Sequence, residues 1–146
     1  MKVWPLTSVD LAVVSHIMAT GRPWLPESTD YWLWKECFGD TSFVAFEGDR
    51  AAGGVLACVN QSRPCDLYID QVAVDPAWRG QGVTSHLIGA VESEARKRCC
   101  TRLWLSTDPV NPAVRAWPPL GFIELGLRKD FKGPGRDRAI FEKRLA

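Results

Sequence analysis

Residues Tyr68 to Glu94 constrain this chain more than any other stretch. They read YIDQVAV, DPAW, RGQGVT and SHLIGAVESE in succession. An apolar, β-branched-rich strand enters a tight turn, crosses a Gly-rich loop and leaves as an amphipathic helix. Such a loop directs several backbone N–H groups at one point, and the helix that follows adds the positive end of its dipole. The stretch therefore predicts an anion cradle at the C-terminal end of a strand.

The rest of the chain supplies elements to surround it. Lys2–Leu6 is a short first strand, and Thr7 with Asp10 resembles a capping box for a helix through Met18. Leu11, Val14, Ile17 and Met18 give that helix its apolar spacing. Gly21, Pro23 and Pro26 break the chain before a second helix at about 28–38. Residues 42–46 and 54–59 form a hairpin about the turn Glu47–Arg50, and 60–64 is a loop. A strand at 66–74, a helix at about 83–98 and a strand at 102–107 then make a parallel crossover, expected to be right-handed. Leu87, Ile88, Val91 and Ala95 form the stripe that this helix lays on the sheet. Residues 111–117 make a short helix halted by Pro118-Pro119, and strands at about 121–131 and 138–145 complete the chain. The expected fold is one α/β domain spanning 1–146, with a mixed sheet of six or seven strands flanked by about four helices.

Charge and cysteine content narrow the partners. Lys and Arg nearly balance Asp and Glu, for a net charge of +1, so no basic stripe argues for nucleic acid or an anionic membrane. Arg96-Lys97-Arg98 falls where cations complement a helix C-terminus. No signal pattern opens the chain, and no apolar run approaches the roughly 18 residues of a membrane span. The expectation is a soluble cytoplasmic protein. Five cysteines with no C-x-x-C spacing read as reduced thiols, and no metal site is expected.

Three kinds of phosphate loop compete at 79–84. A Walker loop requires Gly-Lys-Ser/Thr, which is absent; a dinucleotide loop requires a third glycine where Ser85 stands. The coenzyme A pyrophosphate loop, R/Q-x-x-G-x-G/A, matches Arg79-Gly80-Gln81-Gly82-Val83-Thr84 at all but its last position. Together with LWLSTDPVNPAVRA and LGF further on, VAVDPAWRGQGV resembles the GNAT superfamily of acyl-CoA-dependent N-acetyltransferases across nearly the whole chain.

The resemblance implies an acetyl-CoA-dependent transfer to a primary amine of a small molecule or peptide. It implies that the backbone of Val72, Ala73 and Val74 pairs with the pantetheine arm, at a bulge whose N–H stabilises the developing oxyanion. Arg79, Gly80, Gln81, Gly82, Val83 and Thr84 would hold the pyrophosphate, and Asn111 would bond the pantetheine arm. A homodimer is one compatible assembly.

Two departures stand out. Thr84 replaces the last small residue of the loop, where a hydroxyl can cap a helix or bond a phosphate oxygen. More consequential, the tyrosine that many relatives use to protonate departing CoA is missing from Ala116-Trp117-Pro118-Pro119-Leu120-Gly121-Phe122. An acyl-CoA-binding or sensor module with weakened turnover is therefore the alternative to an enzyme. A thiol of pKa near 8.5 leaves tolerably without an acid, and positioning can supply as much rate as acid catalysis. An attacking amine must still lose its proton. Asp70 and Tyr68, assigned by alternation to one strand face with Val72, are the first candidates to receive it; Asp108, His16 and His86 are weaker ones. The acidic residue of some relatives falls at Ser106. On the acceptor side, the resemblance points to about 22–34 and 131–138, where Trp24, Tyr31 and Trp34 are candidate lining residues beside Trp32, Glu27 and Asp30.

Overall fold

The computed structural model describes residues 1–21 and 30–145, so Trp24 lies outside the described residues. Seven strands form one sheet: β1 (Lys2–Pro5), β2 (Phe43–Glu47), β3 (Arg50–Asn60), β4 (Arg63–Val74), β5 (Arg102–Thr107), β6 (Ile123–Arg128) and β7 (Arg138–Arg144). Their spatial order is β1-β2-β3-β4-β5-β7-β6, and β4–β5 is the parallel pair within an otherwise antiparallel sheet. Helix α1 (Leu11–Gly21) and helix α2 (Tyr31–Phe38) lie with one core cluster; α3 (Val83–Lys97) lies with the other. The anticipated stripe of α3 is realised, with Leu87, Ile88, Val91 and Ala95 all buried against the sheet.

Helices approach both faces closely at Gly53-Gly54. A Cβ on Gly53 would stand 2.7 Å from Val83 Cγ1 of α3, and one on Gly54 2.9 Å from Met18 Sδ of α1. The two missing side chains thus let the sheet be gripped from either side at one point on β3. That point lies directly opposite Ala73 and Val74 of β4.

Several elements differ from expectation. Thr7 starts no capping box: its hydroxyl bonds Asp40, and Leu6–Ser8 is a 3-10 turn ahead of α1. Lys35 holds that turn by donating to the carbonyls of Leu6 and Val9 at 2.9 and 2.7 Å. The expected loop at 60–64 is a tight hairpin, because Asn60 Oδ1 accepts the N–H groups of Ser62 and Arg63 and lets β4 begin at Arg63. The fourth expected helix is a 3-10 turn, Pro112–Ala116. Pro118-Pro119 does not stop the chain there but opens a further 3-10 turn, Pro118–Leu120, since proline suits a first helical position.

A polar network anchors the C-terminal half of the sheet. Arg102 donates to Asp66 at 2.8 Å and to Glu142 at 3.1 Å, while Arg144 reaches Glu142 at 2.9 Å; both carboxylates are 5% exposed. Burial pushes the Glu142 carboxyl up, but hydrogen bonds from Arg144 and Arg102 outweigh it and leave it below the ordinary range. A folded-state pKa below the unfolded one contributes stability that is complete above the unfolded carboxylate range and is lost as pH falls from there through the folded-state pKa. Glu142→Gln should therefore melt below wild type at pH 7, and the two curves should converge as pH falls from about 5 to about 3. Parallel acid limbs in thermal melts would contradict this.

Candidate active site

The parallel pairing of β4 with β5 runs from Asp66↔Arg102 to Ile69↔Leu105 and then stops. Beyond it β4 continues to Val74 and β5 to Thr107, without each other. A register shift coincides with the parting: Leu56 pairs with Gln71 and Ala57 with Ile69, which leaves Asp70 as the extra residue of a β-bulge. The bulge resets the side-chain alternation. Val72 and Val74 pack with Ile69 on the α3 side, while Ala73 joins the α1 side. The expectation that Tyr68, Asp70 and Val72 share one face is thus corrected, because the inserted residue turns Val72 over.

The parting also leaves main-chain groups unpaired by β5. Asp75 N–H donates to Ala52 of β3 at 2.9 Å. Strand alternation then turns the N–H groups of Val74 and Val72 toward the side that β5 has left.

A cavity of about 580 Å³ fills the gap. Its wall includes Asp70, Val72, Val74, Ser106, Asn111 and Arg138, and it runs on to Arg79, Gly80, Gly82, Val83 and Thr84. This is the size of an ordinary small-molecule or cofactor site. At its far end Gly80 and Gly82 have φ of +76° and +80°, a region open to glycine and costly for other residues. A Cβ at Gly80 would meet nothing within 4 Å, so the space above the loop is open. Gly82 is the N-cap of α3 and brings no side-chain cap, which leaves the first-turn N–H groups facing the cavity end. Open space, unpaired amides and a helix dipole suit a pyrophosphate group. Arg79 is fixed beside them by a bond to Gly21 O at 3.4 Å, and Gln81 Nε2 bonds Ala77 O. Thr84, at the position of the missing small residue, lines the cavity.

Asn111 Oδ1 accepts Ala113 N–H at 2.9 Å and caps the 3-10 turn, so its NH2 remains as a donor to the cavity. Asp108 accepts Val110 N–H and is likewise occupied in a turn. Trp117 is buried at 8% exposure, edge-on to Phe122 at 5.5 Å, and closes the cavity near Ala116.

Asp70 stands on the cavity wall, whereas Tyr68 reaches it through Ser106, its hydroxyl 3.4 Å from Ser106 Oγ. Burial pushes the Tyr68 phenol up; Ser106 and Arg138 pull it back, while Asp70 and Cys58 raise it further, and the net shift is upward. At neutral pH the phenol therefore keeps its proton, and either it or the Ser106 hydroxyl can donate in the contact they share. Tyr31 and Trp34 pack against the α1-side core, with Trp34 4.9 Å from Phe38, and neither is among the residues walling the cavity.

Sequence reasoning passed over Ser106 and Arg138 as a unit. Arg138 Nε donates to Ser106 Oγ at 3.2 Å and Nη2 to Ser106 O at 2.8 Å. The two residues are 32 positions apart, and only the β5–β7 pairing, Ser106↔Ile140 and Thr107↔Ala139, reveals their proximity.

Comparison with known proteins agrees with this architecture. Residues 11–122 match the Acetyltransferase (GNAT) family, and the chain belongs to it. It is 36% identical over 105 residues to L-2,4-diaminobutyric acid acetyltransferase of Virgibacillus pantothenticus, covering 72% of this chain and 62% of that relative. Streptothricin acetyltransferase of Streptomyces lavendulae is 33% identical over 87 residues, covering 59% and 46%. The chain spans about half the length of the curated relatives it matches. Among solved structures, the ribosomal-protein-S18-alanine N-acetyltransferase from Escherichia coli superposes with a TM-score of 0.78 at 22% identity, covering 99% of this chain and 94% of that one. Nourseothricin acetyltransferase gives 0.63 at 30% identity, covering 72% and 65%.

Proposed function

We propose that this protein transfers an acetyl group from acetyl-CoA to a primary amine of a small molecule, by direct attack within a ternary complex. The observation that carries the reading is the parting of β4 and β5 into a cavity that ends on the Gly80/Gly82 cradle. Acetyl-CoA would supply an activated thioester. The first-turn amides of α3 with Arg79 bind its diphosphate; the N–H groups of Val72 and Val74 and the Asn111 amide hold its arm extended. The bulge aims an N–H at the thioester oxygen, where it stabilises charge as the carbonyl is attacked. Asp70 takes the proton that the amine gives up, and Tyr68, hydrogen-bonded to Ser106, keeps its own. The relatives named for diaminobutyric acid and streptothricin favour a small-molecule acceptor over a peptide.

A second reading is motivated by one feature. Trp117 offers no acidic proton to a leaving thiolate, so a CoA-binding or sensor module is the alternative. Thiol release from acetyl-CoA decides between them. Release that depends on an added amine supports the enzyme. Tight CoA binding without amine-stimulated release, across a broad panel, supports the sensor; no thermal stabilisation by millimolar CoA removes both.

A further inference from the structure

Arg138 is a half-buried guanidinium on the cavity wall, and none of the ion pairs among the described residues includes it. Asp70 shares the cavity wall with it but forms no ion pair with it, and the other carboxylates of β4 and β7 and of the turn before β7 are engaged elsewhere. Glu142 holds Arg102 and Arg144, Asp66 holds Arg102, and Asp137 accepts the N–H of Asp130 at 2.9 Å. Both bonds that Arg138 makes go to Ser106, through Nε and Nη2 along one edge of the fork. Pinning that edge orients the plane and leaves the Nη1–Nη2 end as a pair of parallel donors.

The strand pairing adds a second, independent indication. Arg128 of β6 is directly opposite Arg138 in the β6–β7 register, so two guanidiniums share one face of the sheet. Like charges directly opposed on a sheet are destabilising, and an anion received between them would relieve that. On the same cavity wall stands Asp70, with the opposite sign. The wall is thus dipolar, with a carboxylate at the bulge and a planar cationic fork on the neighbouring strands.

We propose that the acceptor is an amine that also carries a carboxylate, an amino or diamino acid, whose carboxylate is received by the Nη1–Nη2 fork of Arg138, with Arg128 adding positive charge from β6. Its reacting nitrogen then lies toward Asp70. A carboxylate fits better than a phosphate dianion, because Asp70 and Asp108 share the wall with Arg138 and would repel a second negative charge. The assignment rests on the acetyl-transfer reading above and names the substrate class for it.

Matched pairs that differ only in the carboxylate test it: 2,4-diaminobutyrate against 1,3-diaminopropane, ornithine against putrescine, lysine against cadaverine. Wild-type kcat/KM should favour the carboxylated member of at least one pair by about 10- to 100-fold, the range supplied by hydrogen bonds to a charged group. In Arg138→Gln that ratio should fall to near one, carried mainly by KM, while CoA still raises the melting temperature. Arg138→Lys, which keeps charge but not the fork, should recover only part of the ratio. Arg128→Gln should lower it by a smaller factor. Equal use of both members by wild type overturns the proposal, as does a preference for phosphoethanolamine. An unchanged ratio in Arg138→Gln also overturns it, as does loss of CoA binding there. If wild type binds CoA yet acetylates no amine, it is the transfer reading that fails. Calorimetric titration of the same pairs into CoA-loaded protein then decides the Arg138 question: carboxylate-dependent binding lost in Arg138→Gln supports it, and its absence refutes it.

Discussion

Gly82→Trp should remove CoA binding while the protein still folds. Gly82 has φ +80°, where an L side chain costs about 1–2 kcal/mol. That cost is small beside the loss at the cradle, since the first N–H groups of α3 reach a diphosphate only across the space the indole would fill. We expect affinity to drop at least about 100-fold, equivalent to roughly 2.7 kcal/mol. The fold should tolerate the change, because the nearest atom a Cβ would meet is His86 Nδ1 at 3.9 Å. Differential scanning fluorimetry with and without CoA reads both quantities at once. A full CoA-induced shift in the variant would place the diphosphate somewhere other than this loop.

The second large effect concerns Asp70. Asp70→Asn keeps the size and the bulge but removes the proton acceptor from the cavity wall. We expect kcat to fall by about 10²- to 10³-fold, within the range of general base catalysis. The residual rate should rise more steeply toward alkaline pH than in wild type, because the amine must then arrive already neutral. Tyr68→Phe is the informative companion. Its phenol is held protonated, so its removal should cost much less and leave the pH profile in place. A wild-type profile in Asp70→Asn would dismiss Asp70, and a Tyr68→Phe defect of equal size would transfer the role.

The outline of this fold was legible in the sequence because its strongest signals are local. Gly80 and Gly82 between a β-branched strand and the 87/88/91/95 stripe announce a strand, a loop and a helix between Tyr68 and Ala95. The hairpin about Glu47–Arg50 and the strand Arg102–Thr107 are likewise written in short-range alternation. What escaped was set by pairing between distant segments. The bulge at Asp70 exists only relative to Leu56 and Ala57, so simple alternation put Val72 on the wrong face. The Arg138–Ser106 contact depends on β7 lying between β5 and β6, which no local pattern encodes. Aromatic residues at helical spacing satisfy a core and a pocket equally, and Tyr31 and Trp34 of α2 pack, half-buried, against the α1-side cluster.

The place where β4 and β5 separate has one more consequence. Most sheets keep their vulnerable hydrogen-bonding edges at the rim, where charge, shortness or a bulge can guard them. Here an unzipped seam lies in the middle of the sheet, closed at the bottom by Ile69 and Leu105 at 2% exposure. Water must solvate those central amides whenever the slot is vacant, so the interior of the sheet is its least finished part. A ligand that lies along β4 as an extra strand completes the ladder, and part of its affinity is the cohesion that the protein by itself does not have.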